Sequence, residues 1–325
     1  MKRTASLSLD LDNQWSYMKT HGDAGWKDFP SYLDRAVPQI LEILERKKLK
    51  ITFFIVGQDA ALDKNHGAIR SIADAGHEIG NHSFSHEPWL HLYSKQEIAA
   101  EFERTEDALD AIGVARPVGF RGPGFSLSPM VVEVLGERDY QYDCSTLPTY
   151  IAPLARAFFF LKSPNMSSDE REKLRKLYGS FADGMQTLRP HKLAFDLVEI
   201  PVTTFPLIKT PIHATYLNYL ATISPAIARL YWRSALAACS VTGLDPSFLL
   251  HPLDFLSGDD VPDLKFFPGM SLPTGQKLEF IEHVLDKLTQ KFEVVTMREH
   301  AARYRNETLT ASRPSSHSAA EPHRL

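Results

Sequence analysis

Cysteine is nearly absent. Cys144 and Cys239 are the two in 325 residues, and two thiols so far apart in sequence make no disulfide framework. A reducing compartment is the expected setting. A chain of this length buries about three quarters of the surface it exposes when unfolded, so it needs no such staples. Positive charge is not in excess either. Lys and Arg number 36 against 40 Asp and Glu, a formal net charge of −4. With no polybasic stretch, binding to nucleic acid through phosphates is not expected. Long apolar runs are also missing. The least polar stretch, Ala214 to Ala228, is uncharged but contains Asn218 and Pro225 and is followed by Arg229 and Arg233. That falls short of the roughly 20 apolar residues that cross a bilayer. At the N-terminus, Lys2 and Arg3 lead into alternating Leu7, Ser8, Leu9 and Asp10, without the apolar segment of a secretory signal. A cytoplasmic location follows as an expectation. Apolar residues at 43% and charged residues at 23% exclude chain-wide disorder, collagen and coiled coil.

What is present is an alternation of strand and helix patterns. Leu7, Leu9 and Leu11 alternate with polar residues, as in a strand. Val37, Ile40, Leu41 and Leu44 recur at helical spacing within Arg35 to Lys48. Ile51 to Val56 is a nearly continuous apolar run, as in a buried parallel strand. A helix over Ala68 to Ala75, stopped at Gly76, precedes a third strand over His77 to Gly80. Ser94 and Glu97 form a capping box ahead of Ile98, Phe102, Leu109 and Ile112. Val118 to Arg121 is a further strand, and Ser128-Pro129 opens another helix. After Tyr142 the rhythm breaks. Residues 147 to 190 read as an insertion, with a charged helix after Ser167 and a second capping box at Glu170. Late strands at Leu197 to Pro201 and Phe248 to His251, a helix at Gln276 to Lys291 and a strand at Glu293 to Val295 close the unit. Residues 1 to 305 thus read as one domain, and Asn306 to Leu325, almost free of large apolar side chains, as a disordered tail.

Repeated βα units imply a mainly parallel sheet, open or closed into a barrel, with chemistry at the C-terminal strand ends. The polar residues there form four groups. Asp10 and Asp12, two apart on a strand, point to one face. Close carboxylates repel, so they need a cation or a shared proton. The competing reading is a solvated strand end with Asp12-Asn13 starting a turn. His82 and His86, four apart after the third strand, can reach one metal from a single turn; they can equally be partnered polar residues, and His91 nearby is not singled out. Arg121 sits at the edge of the Gly/Pro loop Gly122-Pro123-Gly124-Phe125, where backbone can approach a substrate. His251 follows Phe248-Leu249-Leu250 at a strand terminus; alone it reads as a satisfied core histidine.

Taken together, Asp-x-Asp, His-x-x-x-His, Arg-x-Pro and Leu-x-x-His, each at the end of a different strand, resemble the polysaccharide deacetylase family (NodB homology, carbohydrate esterase family 4). The resemblance runs from about Leu7 to Arg303, apart from the insertion. It implies a distorted (β/α) barrel with a helical insertion, and hydrolysis of a sugar amide with a divalent metal, most often Zn2+. By the same resemblance Asp12, His82 and His86 match the metal ligands, Asp10 the general base, Arg121 the arginine that pairs with the base, and His251 the general acid. The oxyanion donor is the backbone N–H of Gly124 or of Phe125. Glu199, in Glu-Ile-Pro, is the candidate carboxylate behind the acid histidine. The usual first motif has adjacent aspartates followed by Gly. Here Leu11 separates them and Asn13 follows, as in the Asp-x-Asp branch, which includes intracellular members.

Two other functions fit the same residues: hydrolysis of a ring amide such as allantoin, seen in relatives of that branch, and a non-catalytic carbohydrate-binding role. The second is disfavoured because base, ligand, arginine and acid candidates are all present. The expected partner is an N-acylated sugar or related amide, soluble or carried on a lipid at the inner membrane face. The lipid expectation rests on Tyr150 to Lys162 and Tyr216 to Ala238, where apolar and aromatic residues interleave with isolated basic ones, and on an Ile-Pro-Val strand, Ile200-Pro201-Val202, similar to that of the intracellular branch. Core or lid helices are the alternative for both segments.

Overall fold

The first strand, β1 (Arg3–Asp10), is buried on both faces from Ala5 onward, which is why apolar and small polar residues alternate along it. Leu7 and Leu9 join the outer apolar layer, while Ser6, Ser8 and Asp10 point the other way. The computed structural model describes residues 2–151, 172 and 183–311. Its remaining strands are β2 (Thr52–Ile55), β3 (Glu78–Asn81), β4 (Gly119–Phe120), β5 (Tyr142–Asp143), β6 (His191–Lys192), β7 (Val198–Glu199), β8 (Ser247–Leu250) and β9 (Phe292–Val295). They form one sheet in the order β6-β7-β5-β4-β3-β2-β1-β8. Every pairing is parallel except β6 with β7. β9 pairs with β1 at Arg3 to Ser6, while β2 takes Ser8 to Asp10. Beyond β7, the Thr203 N–H donates to Ser247 O at 3.0 Å and Thr203 Oγ1 accepts from Ser247 N–H at 2.8 Å. These bonds bring the two ends of the sheet together and curl it into the distorted barrel.

Helices cover the sheet as the patterns require. Leu33–Arg46 buries Val37, Ile40 and Leu44. Asp63–Asp74 and Lys95–Ala111 follow β2 and β3, the second opened by the Ser94–Glu97 capping box. Pro129–Glu137 begins with Ser128 Oγ accepting from Val131 N–H at 3.3 Å, and Thr274–Lys291 leads into β9. The apolar residues facing inward, Phe54, Tyr142, Cys144, Val198 and Ile200, pack with Met297 and Ala301 of the last helix.

Several features depart from the expected pattern. A two-residue strand not anticipated, Tyr142–Asp143, carries the sheet onward just where the rhythm was expected to break. The last helix, Met297–Ala311, runs past Asn306 into the segment expected to be disordered. Its inward face is fixed by His300, whose Nδ1 lies 2.8 Å from Ser6 Oγ, and by Arg303 on Thr4 and Glu293. The rest of the expected tail lies outside the described residues, as do the charged helix after Ser167, the capping box at Glu170 and most of Tyr150 to Lys162. The segment Tyr216 to Ala238 is not one amphipathic helix. Ser224 and Pro225 divide it into Ala214–Ile223 and Pro225–Thr242, both with buried faces. Among the described residues no helix is long and apolar enough to cross a membrane.

Candidate active site

Beyond β1, Asp12 continues the inward face set by Ser8 and Asp10, and Tyr32 Oη donates to its carbonyl oxygen at 2.5 Å. Asn13 starts a turn, as the alternative reading expects. Its Oδ1 caps the helix Gln14–His21, accepting from Gln14 N–H at 2.8 Å. Its Nδ2 donates to the buried Asp59 at 2.7 Å, which also accepts from Trp15 Nε1 at 2.9 Å. The turn is therefore a buried, hydrogen-bonded one, and it leaves the Asp12 side chain free to face inward.

His82 and His86 lie on the loop after β3. Asp12 Oδ1 is 3.3 Å from His82 Nε2 and 3.0 Å from His86 Nε2, and the three ligand atoms all lie within 4.8 Å of one another. His82 Nδ1 is 2.6 Å from the Arg121 carbonyl. A carbonyl only accepts, so Nδ1 carries the proton and the Nε2 lone pair faces Asp12. Asp12 Oδ1 is buried and makes no hydrogen bond. An anionic oxygen opposite two imidazole nitrogens fits a divalent cation. Burial alone would push the Asp12 carboxyl up, but His86 and His82 outweigh it and hold it well below the usual carboxylate range. Burial would lower His82, yet the charges of Asp10 and Asp12 raise it.

The loop's shape is held from behind. Glu101 accepts from Phe84 N–H at 2.9 Å, Ser85 N–H at 2.7 Å and Ser85 Oγ at 2.7 Å. Asn81 Oδ1 accepts from Ser83 N–H at 2.8 Å. These bonds sustain positive φ at Ser83 and His86, 59° and 51°, which side chains other than glycine adopt at a cost.

Asp10 stands beside this group. Arg121, fully buried, donates from Nη1 to Asp10 Oδ1 at 2.7 Å and to Ser8 Oγ at 2.9 Å, and from Nε to Cys144 O at 3.1 Å. Its guanidinium lies 4.5 Å above the Phe54 ring. A Cβ on Gly80 would come within 2.5 Å of that ring, so only glycine lets β3 pass so close. Burial works against the Arg121 charge, and Asp10 outweighs it and raises the pKa. The other carboxylate oxygen, Asp10 Oδ2, is 4.0 Å from His82 Nε2 and 3.9 Å from His251 Nε2. It is thus placed between the ligand group and His251.

His251, at the end of β8, is not supported by Glu199. Glu199 instead accepts from Thr146 Oγ1 at 2.5 Å and from Thr146 N–H at 3.2 Å. It is paired in register with Asp143, and burial with that neighbour pushes its carboxyl well up. The groups around His251 are Thr215, with Oγ1 3.1 Å from Nδ1, and Asp254, whose Oδ2 accepts the His251 N–H at 2.8 Å and lies 3.9 Å from Nδ1. Asn218 holds Asp254 Oδ1 at 3.1 Å. The sequence reading missed Asp254. The available signal was His251-Pro252-Leu253-Asp254, which has capping-box spacing with Pro at the first helical position.

In the loop after β4, Gly122 N–H donates to Ser145 Oγ at 2.7 Å. Gly124 has φ 58°. The Phe125 N–H donates to Gly122 O at 2.9 Å, which removes it as an oxyanion donor and leaves Gly124 of the expected pair. His91 Nδ1 lies 2.7 Å from Ser126 Oγ and steadies the far end of this loop.

With this geometry in view, residues 23–142 match the family model described as polysaccharide deacetylase. That span contains His82, His86 and Arg121, while Asp10, Asp12 and His251 fall outside it. A peptidoglycan deacetylase from Helicobacter pylori is 28% identical over 46% of this chain and 51% of its own length. A peptidoglycan-N-acetylglucosamine deacetylase from Bacillus cereus is 35% identical over 26% of this chain and 30% of its own. The chain thus spans about half or less of these relatives. A crystal structure from Mycobacterium smegmatis, provisionally assigned as a polysaccharide deacetylase, aligns over 99% of this chain and 96% of its own with a TM-score of 0.62 and 22% identity. It shares the fold.

Proposed function

From the premise that the chain belongs to the polysaccharide deacetylase family, we propose that it is a metal-dependent hydrolase that removes an N-acetyl or N-formyl group from an amino sugar. One observation carries the reading: Asp12, His82 and His86 converge through their ligand atoms, and Asp10 and His251 approach each other to 3.9 Å beside them.

Asp12, His82 and His86 would hold the ion. Two imidazoles and one carboxylate suit zinc and leave positions open for water and substrate. When bound, such an ion supplies acidification of water and polarisation of the acyl carbonyl. Asp10, held by Arg121, takes the proton from the attacking water through its free Oδ2. The Gly124 N–H donates to the oxygen of the tetrahedral intermediate. His251, positioned by Thr215 and Asp254, gives a proton to the departing amine, since an amide anion cannot leave.

The finer reading is an intracellular N-acyl sugar on a lipid carrier. Cys144 and Cys239 are both free and buried, which suits a reducing compartment. The elbow between Ala214–Ile223 and Pro225–Thr242 exposes Tyr219, Ile223, Ile227 and Leu230, the last three more than half exposed. Arg229, which pairs with Glu279 at 3.0 Å, and Arg233 lie on the helix Pro225–Thr242. Apolar residues beside basic ones suit a membrane interface.

The test compares acyl release from a polyprenyl-linked N-acyl sugar, its soluble headgroup and allantoin, with and without chelator, alongside vesicle co-sedimentation. The account expects chelator-sensitive hydrolysis of the sugars, faster on the lipid-linked form. Hydrolysis of allantoin alone would overturn the sugar reading. Equal rates on both sugars without vesicle binding would remove the lipid carrier.

A further inference from the structure

Glu199, which does not support the acid histidine, belongs to a line of buried contacts that ends on the loop after β4. Gly122 N–H donates to Ser145 Oγ at 2.7 Å. Ser145 Oγ donates in turn to Asp143 Oδ1 at 2.7 Å, and Ser145 N–H to Asp143 Oδ2 at 3.0 Å. Asp143 is the partner of Glu199 in register across β5 and β7. Ser145, Asp143 and Glu199 are all buried. Glu199 Oε1 accepts from Thr146, whereas Oε2 is buried and has no partner as an acceptor. Burial and the charge of Asp143 push the Glu199 carboxyl well above the usual carboxylate range, so it holds a proton. A protonated carboxyl donates, and Asp143, across the register, is the acceptor it meets. Asp143 is thereby fixed from two sides, by Glu199 and by Ser145.

The loop after β4 needs such an anchor. Gly124 and Phe125 both have φ 58°, a left-handed conformation that a phenylalanine adopts at a cost. A Cβ on Gly122 would come within 2.1 Å of Ser126 O, so the loop closes on itself where only glycine fits. Its far end is tied through Ser126 Oγ, which accepts from His91 N–H at 2.8 Å. Its near end is tied at Gly122, by Ser145. The Gly124 N–H lies two residues beyond that bond. A misplacement of about 1 Å at a reacting centre costs roughly 10²-fold in rate.

We propose that Ser145, anchored on Asp143 and Glu199, is a positioning residue that holds the loop after β4 in the shape presenting the Gly124 N–H to the oxyanion. The proposal rests on the deacetylase reading of the site. Ser145, Asp143 and Glu199 act through the loop and touch no reacting atom.

The test uses the full chain, loaded with zinc, and two readouts. One is acetate release from the methyl glycoside of N-acetylglucosamine, resolved into kcat and KM. The other is amide hydrogen exchange over residues 119–128, which needs no substrate. Ser145→Ala removes the acceptor of the Gly122 N–H. Its kcat should fall by about 10²-fold with KM and zinc content nearly unchanged. Exchange over residues 119–128 should quicken by about tenfold, the worth of one hydrogen bond. Glu199→Ala takes a donor from Asp143 and should lower kcat in the same way. Glu199→Gln, whose amide donates as the protonated carboxyl does, should restore most of that loss. If Ser145→Ala does not fold, the Glu199 pair carries the same comparison from one contact further away. Unchanged kcat in Ser145→Ala overturns the proposal, as does a loss carried by KM or by zinc content, or unchanged exchange in the loop. Failure of the deacetylase reading has a different signature. Wild-type protein would then release no acetate while exchange still rose in Ser145→Ala, which keeps the anchor and removes the reaction.

Discussion

At the scale of single residues, the site separates roles by small differences in position. Asp10 and Asp12 are two apart and point the same way, yet Asp10 meets Arg121 and Asp12 meets two imidazoles. On the proposed mechanism, that difference in partners alone would divide a base from a ligand, with no difference in side-chain chemistry. His251 is set apart from His82 and His86 by its neighbours, Thr215 and Asp254, which orient it towards Asp10. Replacing it by glutamine should therefore leave metal content and fold intact. The rate should fall by about 10²–10⁴-fold, and the limb of the pH–rate profile that reports an acid should vanish. A His251→Gln enzyme that keeps both limbs at near-normal rate would remove it from the reaction.

At the scale of elements, the loop after β3 depends on the helix Lys95–Ala111, which carries none of the groups proposed for the chemistry. Glu101 holds two backbone N–H groups and one hydroxyl of that loop. Glu101→Ala leaves those donors unpaired, at a cost of about 1–3 kcal/mol in stability. Metal affinity should fall by about 10–100-fold, as when groups behind the ligands are removed. Thermal melting and competitive chelation read the two effects, and unchanged affinity would mean that the loop holds its shape unaided. The last helix has a different dependence. His300 is buried against Ser6, and burial, with help from Arg303, drives its pKa down to about 4. The unfolded chain titrates near the ordinary value of about 6.5. Between these values the unfolded state binds more protons, so stability rises with pH across the window and is lost as pH falls from about 6.5 to about 4. The term amounts to about 3 kcal/mol. Denaturant melts of His300→Gln should show a flatter dependence in that window than wild type.

At the scale of the whole molecule, what the sequence revealed followed the reach of local pattern. Alternation and helical spacing located β1, β2, β3, β8 and most flanking helices, because burial on one or both faces leaves a short-range signature. Asp10 and Asp12 stood out as a pair because residues two apart on a strand share a face, and His82 and His86 as a pair four apart after a strand, but the roles expected of them came from the family resemblance. Residues whose partners come from distant segments were not legible. Asp59 meets Asn13 and Trp15, and Glu101 meets Ser85, and only the folded chain brings these together. Glu199 misled because a carboxylate at a strand end looks suited to the acid histidine until the register with Asp143 is known. β5 was missed because two residues carry no periodicity. The central claim is that one metal is held by Asp12, His82 and His86 and not by Asp10. Metal per chain, measured by plasma emission spectroscopy on zinc-loaded, desalted protein, tests it most directly. The account predicts about one equivalent in wild type and in Asp10→Asn, and loss of the ion in Asp12→Asn and His82→Ala. Metal lost from Asp10→Asn but kept in Asp12→Asn would contradict it, because the two aspartates would then have exchanged roles.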